Sequence, residues 1–453
     1  MTPSDARGYP TDVTMRRSTP WAVLPLTGLL LGVVCGTLGS SSRPAQADFA
    51  PDEQKFNNAA YPPEFRKRVQ DAIVRGANWL LLHQAEDGSW AAERRTGYPL
   101  GPTALATLAL LKAGIPPCHP RLEKAFEYLR KQPLTKTYEV SILLMAIDAR
   151  YDPVSDPFAK EEVDRYGQRV VPDPCATQIS KEDLAWMRQG VDFLVKHQVG
   201  GYWRYPEGGF DLSNTQYALL GLKAADRCGL RVPLEVWRSS LAFLLGFQEA
   251  DGPDVDVRAN EVRGDYRIEW SEKAKARGFT YTTGGRVIGG APFKTSATGS
   301  MTTAGAAGLM ICQSMLWKSR KFGAEERART RVAVRDALAW MQLQFDVTKN
   351  PNMGMTWHYY YLYGLERMGI LGHFRFIGKK DWYEEGAEFL RDDPNDPGSW
   401  MQADPIDTSF ALLFLKRSSF RTVNPVITPG DPEAARGDAA PTAPAAPGDA
   451  GGK

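Results

Sequence analysis

Arg75-Gly76-Ala77-Asn78-Trp79-Leu80-Leu81-Leu82-His83-Gln84-Ala85-Glu86-Asp87-Gly88-Ser89-Trp90 is the stretch that decides the fold. A small residue precedes an aromatic-Leu pair near the end of an amphipathic run, and a Gln, a Gly and a Trp follow. Self-similarity of this kind, at a spacing of about 45 residues, is the signature of a repeat architecture. Degenerate copies run through Ala125-Phe126-Glu127-Tyr128-Leu129 to Gln132, and through Gly190-Val191-Asp192-Phe193-Leu194 to Gln198, Gly201 and Trp203. Others follow at Ser240-Leu241-Ala242-Phe243-Leu244 with Gln248, at Ala337-Leu338-Ala339-Trp340-Met341 with Gln344, and at Gly386-Ala387-Glu388-Phe389-Leu390 with Gly398-Ser399-Trp400.

A second, more apolar helix is predicted after each copy: Thr103 to Lys112, Glu139 to Ala149, Ser213 to Ala225, Thr302 to Met315, Trp357 to Met368 and Asp407 to Leu415. Helices apolar nearly all round belong to an inner layer, and one-faced helices carrying Lys, Arg and Glu to an outer one. The small residue beside each aromatic lets the two helices of a pair approach. Gly in the Gly-x-Trp segment is expected to end the outer helix as a left-handed cap, with Trp covering the joint. Two insertions, about Tyr151 to Ser180 and Gly252 to Pro292, interrupt the spacing and read as rim loops. In the second, Tyr266 to Trp270 and Phe279 to Thr282 read as a small hairpin.

Outside the repeats, Arg16-Arg17, the apolar run Trp21 to Leu38 and Ala45-Gln46-Ala47 read as a cleaved export signal over residues 1–47, by the Sec or the Tat route. A retained membrane anchor is the alternative, and no stable membrane span is expected after processing. Residues 48–421 form the repeat domain, and residues 422–453, rich in Pro, Ala, Gly and Asp, read as a disordered tail. The 55 Lys+Arg and 53 Asp+Glu fall to 51 each once residues 1–47, with Arg7, Arg16, Arg17, Arg43, Asp5 and Asp12, are set aside. A balanced chain without a basic block carries no electrostatic footprint for nucleic acid. In an oxidising exported compartment, periplasmic or extracellular, Cys118, Cys175, Cys228 and Cys312 allow up to two bridges; Cys118 and Cys175 in Pro-rich loops are the favoured pair, and Cys312 reads as a buried free thiol.

Gln84…Gly88-Ser89-Trp90 and Gln198…Gly201-Tyr202-Trp203 resemble the QW motif of the squalene-cyclase and prenyltransferase-repeat superfamily, over about Pro63 to Lys416. Tyr359 to Gly369, Asp381-Trp382-Tyr383 and Asp407 to Arg417 are similar to exported bacterial members of that group. The resemblance implies an all-α, (α/α)6 toroid with inner helices around a central cavity and QW residues as structural braces. An open solenoid of HEAT or armadillo type is the alternative for a repeat of this length.

The chemistries that the resemblance implies lack their residues here. No Asp-x-Asp-Asp acid motif occurs; Asp254-Val255-Asp256-Val257 and Asp404-Pro405-Ile406-Asp407 come nearest. Asp226-Arg227-Cys228 has the Asp-x-Cys spacing of a prenyl-transfer zinc site, but it ends an inner helix and no His completes it, so neither a metal nor another cofactor is expected. Asp392-Asp393-Pro394-Asn395-Asp396 matches a magnesium-diphosphate string but is broken by proline and reads as a solvated turn.

Residues at the starts of the inner helices would face the cavity mouth. Catalytic candidates are Glu139, Asp211, His358 and Asp407; ligand-contact candidates are Tyr138, Asn214, Gln216, Trp357, Tyr359 and Tyr360, with Thr302 and Thr303 beside them. Asp407 reads first as a helix N-cap, and His358, one imidazole among aromatics, as a core residue before a proton carrier. Three functions remain open: a non-catalytic binding or scaffold module for an apolar small molecule or peptide; a cyclase-like isomerase with Asp407 or Glu139 as an atypical acid; and a carbohydrate-active hydrolase or lyase pairing Glu139 with Asp211.

Overall fold

A computed structural model describes residues 61–90, 97–151, 179–205, 210–263, 266–282, 287–288, 291–292, 296–391, 398–401 and 403–417. All belong to the compact unit Asp48–Lys453. The export segment, the tail, Cys175, the Asp392–Asp396 string and residues 152–178 of the first insertion lie outside the described residues.

Twelve helices are described, in six pairs: α1 (Pro63–Leu82) and α2 (Gly101–Ala113), α3 (Pro120–Arg130) and α4 (Thr137–Tyr151), α5 (Lys181–Lys196) and α6 (Leu212–Arg227), α7 (Leu234–Phe247) and α8 (Gly299–Leu316), α9 (Ala324–Gln344) and α10 (His358–Gly372), α11 (Trp382–Arg391) and α12 (Pro405–Leu415). The chain is mostly helical, as the periodicity predicts. Even-numbered helices are buried nearly all round, every residue of α10 and all of α2 but Lys112 among them. Odd-numbered helices such as α3 bury one stripe, there Leu122, Ala125, Phe126 and Leu129, whereas α9 is buried continuously from Ala333 to Met341. Each even-numbered helix packs on the even-numbered helices before and after it, and α12 packs back on α2. The odd-numbered helices pack against this set, α1 on α12 and α2, α5 on α4 and α6, and α9 on α8.

The QW residues interlock successive pairs. Trp90 Nε1 donates to the Leu80 carbonyl at the end of α1, while its backbone N–H donates to Thr103 Oγ1 in α2. Trp203 repeats both bonds with Leu194 and Thr215, and Trp400 with Leu390 and Thr408. Gln84, Gln198 and Gln248 each donate through Nε2 to a carbonyl of the next odd-numbered helix, of Arg121, Val236 and Ala333 respectively. These carbonyls lie in or just beyond the first turn of α3 and α7 and mid-length in α9. A buried amide held by two carbonyls fixes the spacing between repeats more firmly than apolar contact does.

The motif glycine departs from expectation. α1 ends at His83, five residues before Gly88, so the glycine is not the helix cap. It is left-handed for another reason, which Gly201 illustrates. At φ +91° it lies so close to the next odd-numbered helix that a Cβ would stand 2.2 Å from the Ser239 carbonyl oxygen. Gly398, at φ +125°, makes the equivalent approach to Arg75 of α1, and Trp400 fills the space over Gly76. The sixth repeat therefore meets the first.

The second insertion supplies β1 (Asp254–Arg263) and β2 (Tyr266–Lys275), which join β5 (Phe374–Ile377) and β6 (Lys380–Asp381) from the α10–α11 connection in a four-stranded sheet of order β2-β1-β5-β6; β3 (Val287–Ile288) and β4 (Ala291–Pro292), also in the insertion, pair separately. The expected hairpin is misregistered: Tyr266–Lys275 pairs antiparallel with β1, from Asp254↔Lys275 to Arg263↔Tyr266, and Phe279 to Thr282 join no strand. Only Gly264-Asp265 separates β1 from β2, a two-residue connection that favours pairing of adjacent segments. Phe279 instead replaces the fourth Trp, its N–H donating to Thr302 Oγ1. Cys312 is buried, as expected; Cys228 is also buried, and Cys118 is exposed.

Candidate functional site

The loops and first turns that lead into α2, α4, α6, α10 and α12 enclose a cavity of about 450 Å³. Six of the residues singled out from the sequence line it: Tyr138, Trp357, His358, Tyr359, Tyr360 and Asp407. Tyr98, Tyr205, Tyr281 and Phe410 complete a wall of aromatic rings, and Asp404 and Asp407 are its two carboxylates. The Tyr138, Tyr281 and Tyr360 hydroxyls are pushed up by burial, so all three stay neutral donors. No lysine or arginine is among the lining residues described.

His358 is buried, and its Nε2–H donates to the Val347 carbonyl at 2.8 Å. Burial holds its pKa below the ordinary histidine range, so the ring is neutral at neutral pH and Nδ1 carries the lone pair. It stacks among Tyr359, Tyr361 and Phe389. That is the bonding of a core histidine, with one nitrogen committed to backbone.

Asp407 is not the N-cap of its helix. Asp404 caps α12, its Oδ1 accepting from the Ile406 and Asp407 amides at 2.7 and 3.2 Å. Pro405 at the first helical position starts the helix two residues early, which sets Asp407 in the first turn and in the cavity wall.

Glu139 and Asp211 are not among the described lining residues, and each caps a helix. Glu139 Oε1 accepts from the Leu100 and Gly101 amides at 3.0 and 2.8 Å, capping the start of α2 from the start of α4. Burial raises its pKa even against these two N–H groups. Asp211 is the N-cap of α6, accepting from Ser213 N–H at 2.7 Å. Asn214 and Gln216 are buried behind the wall, where Gln216 Oε1 accepts from the Tyr360 hydroxyl at 2.8 Å and fixes that ring. Thr302 takes the Phe279 N–H, and Thr303 Oγ1 bonds back to the Gly299 carbonyl within α8. Asp226 pairs with Lys223 while Cys228 Sγ turns to Asp148; among the described residues no group of three His, Cys, Asp or Glu could hold a metal ion.

The reading from sequence missed Tyr98, Tyr205, Tyr281, Met401 and Asp404. A signal for part of this set exists: Trp203-Arg204-Tyr205 and Phe279-Thr280-Tyr281 place a tyrosine two residues after the brace aromatic, the point where the chain turns from an odd-numbered to an even-numbered helix. Trp357, Met401 and Ala403 have left-handed backbone at φ +55°, +52° and +65°. Strain in non-glycine residues of this kind costs on the order of 1–3 kcal/mol each and gathers at ligand sites. Among the described residues no helix is long and apolar enough to cross a membrane. No family model matches the chain, and no curated protein matches it.

Proposed function

We propose that the chain is an exported α/α-toroid protein that holds an apolar small molecule in its aromatic cavity and does not transform it. The (α/α)6 closure is supported by α12 packing on α2 and by Gly398 and Trp400 seating on α1. The observation that carries the functional reading is the cavity wall: aromatic rings from loops and helix starts around about 450 Å³, the volume of a drug-sized ligand. Its two described carboxylates stand three residues apart at the start of α12, and no other acid is among the described lining residues. Glycoside hydrolysis needs two opposed carboxyl groups, and both earlier candidates for such a pair cap helices.

Native mass spectrometry with lipid extraction tests the proposal on protein purified from its exported compartment. A co-purifying apolar molecule, lost on Trp357→Ala, is expected; Trp357 is 44 % exposed and lies in the cavity wall, so its removal spares the core. A protein that carries no small molecule and gains none from isoprenoid or fatty-acid mixtures refutes it. A second reading has one observation in its favour, Asp407 in an aromatic wall, as an isomerase would need for an acid and a cation-stabilising surface. Conversion of an added isoprenoid that stops in Asp407→Asn would select it.

A further inference from the structure

Beneath the cavity floor lies a charged group that the ligand reading leaves unused. Arg367 of α10 is fully buried, and its positive charge is permanent at any pH a folded protein meets. Among the described residues no carboxylate pairs with it. Nη2 donates to Gln216 Oε1 at 3.2 Å, and that oxygen already accepts from the Tyr360 hydroxyl. Three tyrosine rings surround the guanidinium, those of Tyr363, Tyr217 and Tyr360 at 4.1, 5.2 and 5.8 Å from Cζ.

The cluster has donors in excess. Arg367 Nε and Nη1 and Gln216 Nε2 are buried N–H groups without a hydrogen-bond partner. The Tyr217 hydroxyl stands beside Arg367 and Tyr138 without completing a bond of good geometry. Each unmet buried donor costs about 1–3 kcal/mol, more on a charged group, and removing the partner of a buried charge typically costs about 3–5 kcal/mol. Ring faces recover about 2 kcal/mol of this. What the cluster lacks is acceptors with negative charge, and the helices around it supply none.

We infer that the space beside Arg367 is an anion site, holding a halide-sized monovalent anion between the guanidinium, the Gln216 amide and the Tyr217 hydroxyl. An anion there neutralises the buried charge and accepts the unmet N–H groups together, which a water molecule, itself bringing two donors, does less well. Arg367, Gln216 and Tyr217 are not among the described lining residues of the aromatic cavity, and the inference does not depend on what that cavity binds.

Thermal unfolding of the full chain in sodium chloride, bromide, acetate or gluconate at matched ionic strength tests it. The melting temperature is expected to rise with chloride and bromide over gluconate, on the order of 2 °C for each tenfold increase above the dissociation constant. Protection by acetate as well identifies a site that admits carboxylates; its absence, one sized for halides. In Arg367→Met the dependence on anion disappears, because an uncharged side chain of similar length requires no counter-charge. Equal melting temperatures of the wild type in all four salts overturn the inference, as does anion dependence that persists in Arg367→Met. If that variant does not fold, a bromide-soaked crystal of the wild type decides: anomalous density within hydrogen-bonding reach of Arg367 supports the site, and its absence there overturns it.

Discussion

Replacing Gly201 by alanine tests the interlock between repeats at its tightest point. The residue has φ +91°, and a Cβ would meet the Ser239 carbonyl oxygen at 2.2 Å, its carbon at 2.6 Å and Phe243 Cβ at 2.9 Å. The nearest atoms are backbone, so no rotamer change relieves the clash. The left-handed conformation costs an alanine about 1–2 kcal/mol, and forcing α7 away adds about 1–3 kcal/mol of overpacking. The displacement also pulls Ser240 Oγ from the Gly201 carbonyl and from Gln198 Nε2, 2.8 and 2.9 Å bonds worth about 1 kcal/mol each. A loss of about 4–7 kcal/mol is expected from the sum. Gly246, within α7, has nothing inside 4 Å of a Cβ, and Gly246→Ala is expected to gain about 0.5–1 kcal/mol. Urea unfolding of both variants beside the wild type gives the comparison in midpoint shifts of opposite sign. A Gly201→Ala protein within about 1 kcal/mol of wild type would refute the interlock, since strain and clash together cannot be so small.

Contact between the ends of the repeat array is testable by a double-mutant cycle: Gly76→Ala meets Trp400 Cζ3 at 2.7 Å, so pairing it with Trp400→Ala should give a coupling energy above about 1 kcal/mol, and strict additivity argues for an open array. Trp357→Gly removes left-handed strain at φ +55° and should raise stability by about 1 kcal/mol while weakening ligand retention; losing both would contradict placing the strain in service of the site. Glu139 is raised by burial above its ordinary carboxylate value, so its protonated form is the one the fold favours. Its contribution is therefore complete below the unfolded value and is lost as pH rises through the folded one. Glu139→Gln keeps an acceptor for the Leu100 and Gly101 amides, so its melting temperature relative to wild type should climb as pH increases from about 4 through the raised value; a flat difference would show that the group does not ionise differently in the fold.

The helical layers were legible because each repeat states its own burial. α2, α4, α8 and α12 are predominantly apolar and buried nearly all round, and the one-sided stripes of α1, α3 and α5 could be read directly from spacing. The braces were legible for the same reason, since Gln84 and Trp90 recur as Gln198 and Trp203 with the same bonds. The inserted sheet was not. β1 and β2 do alternate, over Asp254 to Ala259 and Tyr266 to Ser271, but their pairing was missed because the brace aromatic Phe279 looked like strand sequence once separated from Gln248 by the hairpin. Gln216 and Arg367 belong to inner helices whose other residues face neighbours, and polarity at those positions could equally have faced the cavity. Only the contact with the Tyr360 hydroxyl shows that Gln216 lies behind the wall.

The two aspartates of α12 show how narrow the boundary between structure and function is in such a site. A helix with Asp407 as its cap would commit that carboxylate to backbone amides, as Asp404's is committed here. Proline at 405 is compatible with the first helical turn, because it has no N–H to satisfy and its φ is already helical. The start therefore moves back, Asp404 takes the amides of Ile406 and Asp407, and Asp407 becomes a wall residue one turn before Phe410. At the start of α10 the shift runs the other way: the helix begins at His358, one residue later than the spacing predicts, and Trp357 takes left-handed backbone as its N-cap without a side-chain capping bond. There a serine or aspartate would cap the helix more favourably. An exposed indole at that position, with strain and without a cap, does not serve the stability of the helix it precedes, and on the proposed reading its place is contact with the ligand.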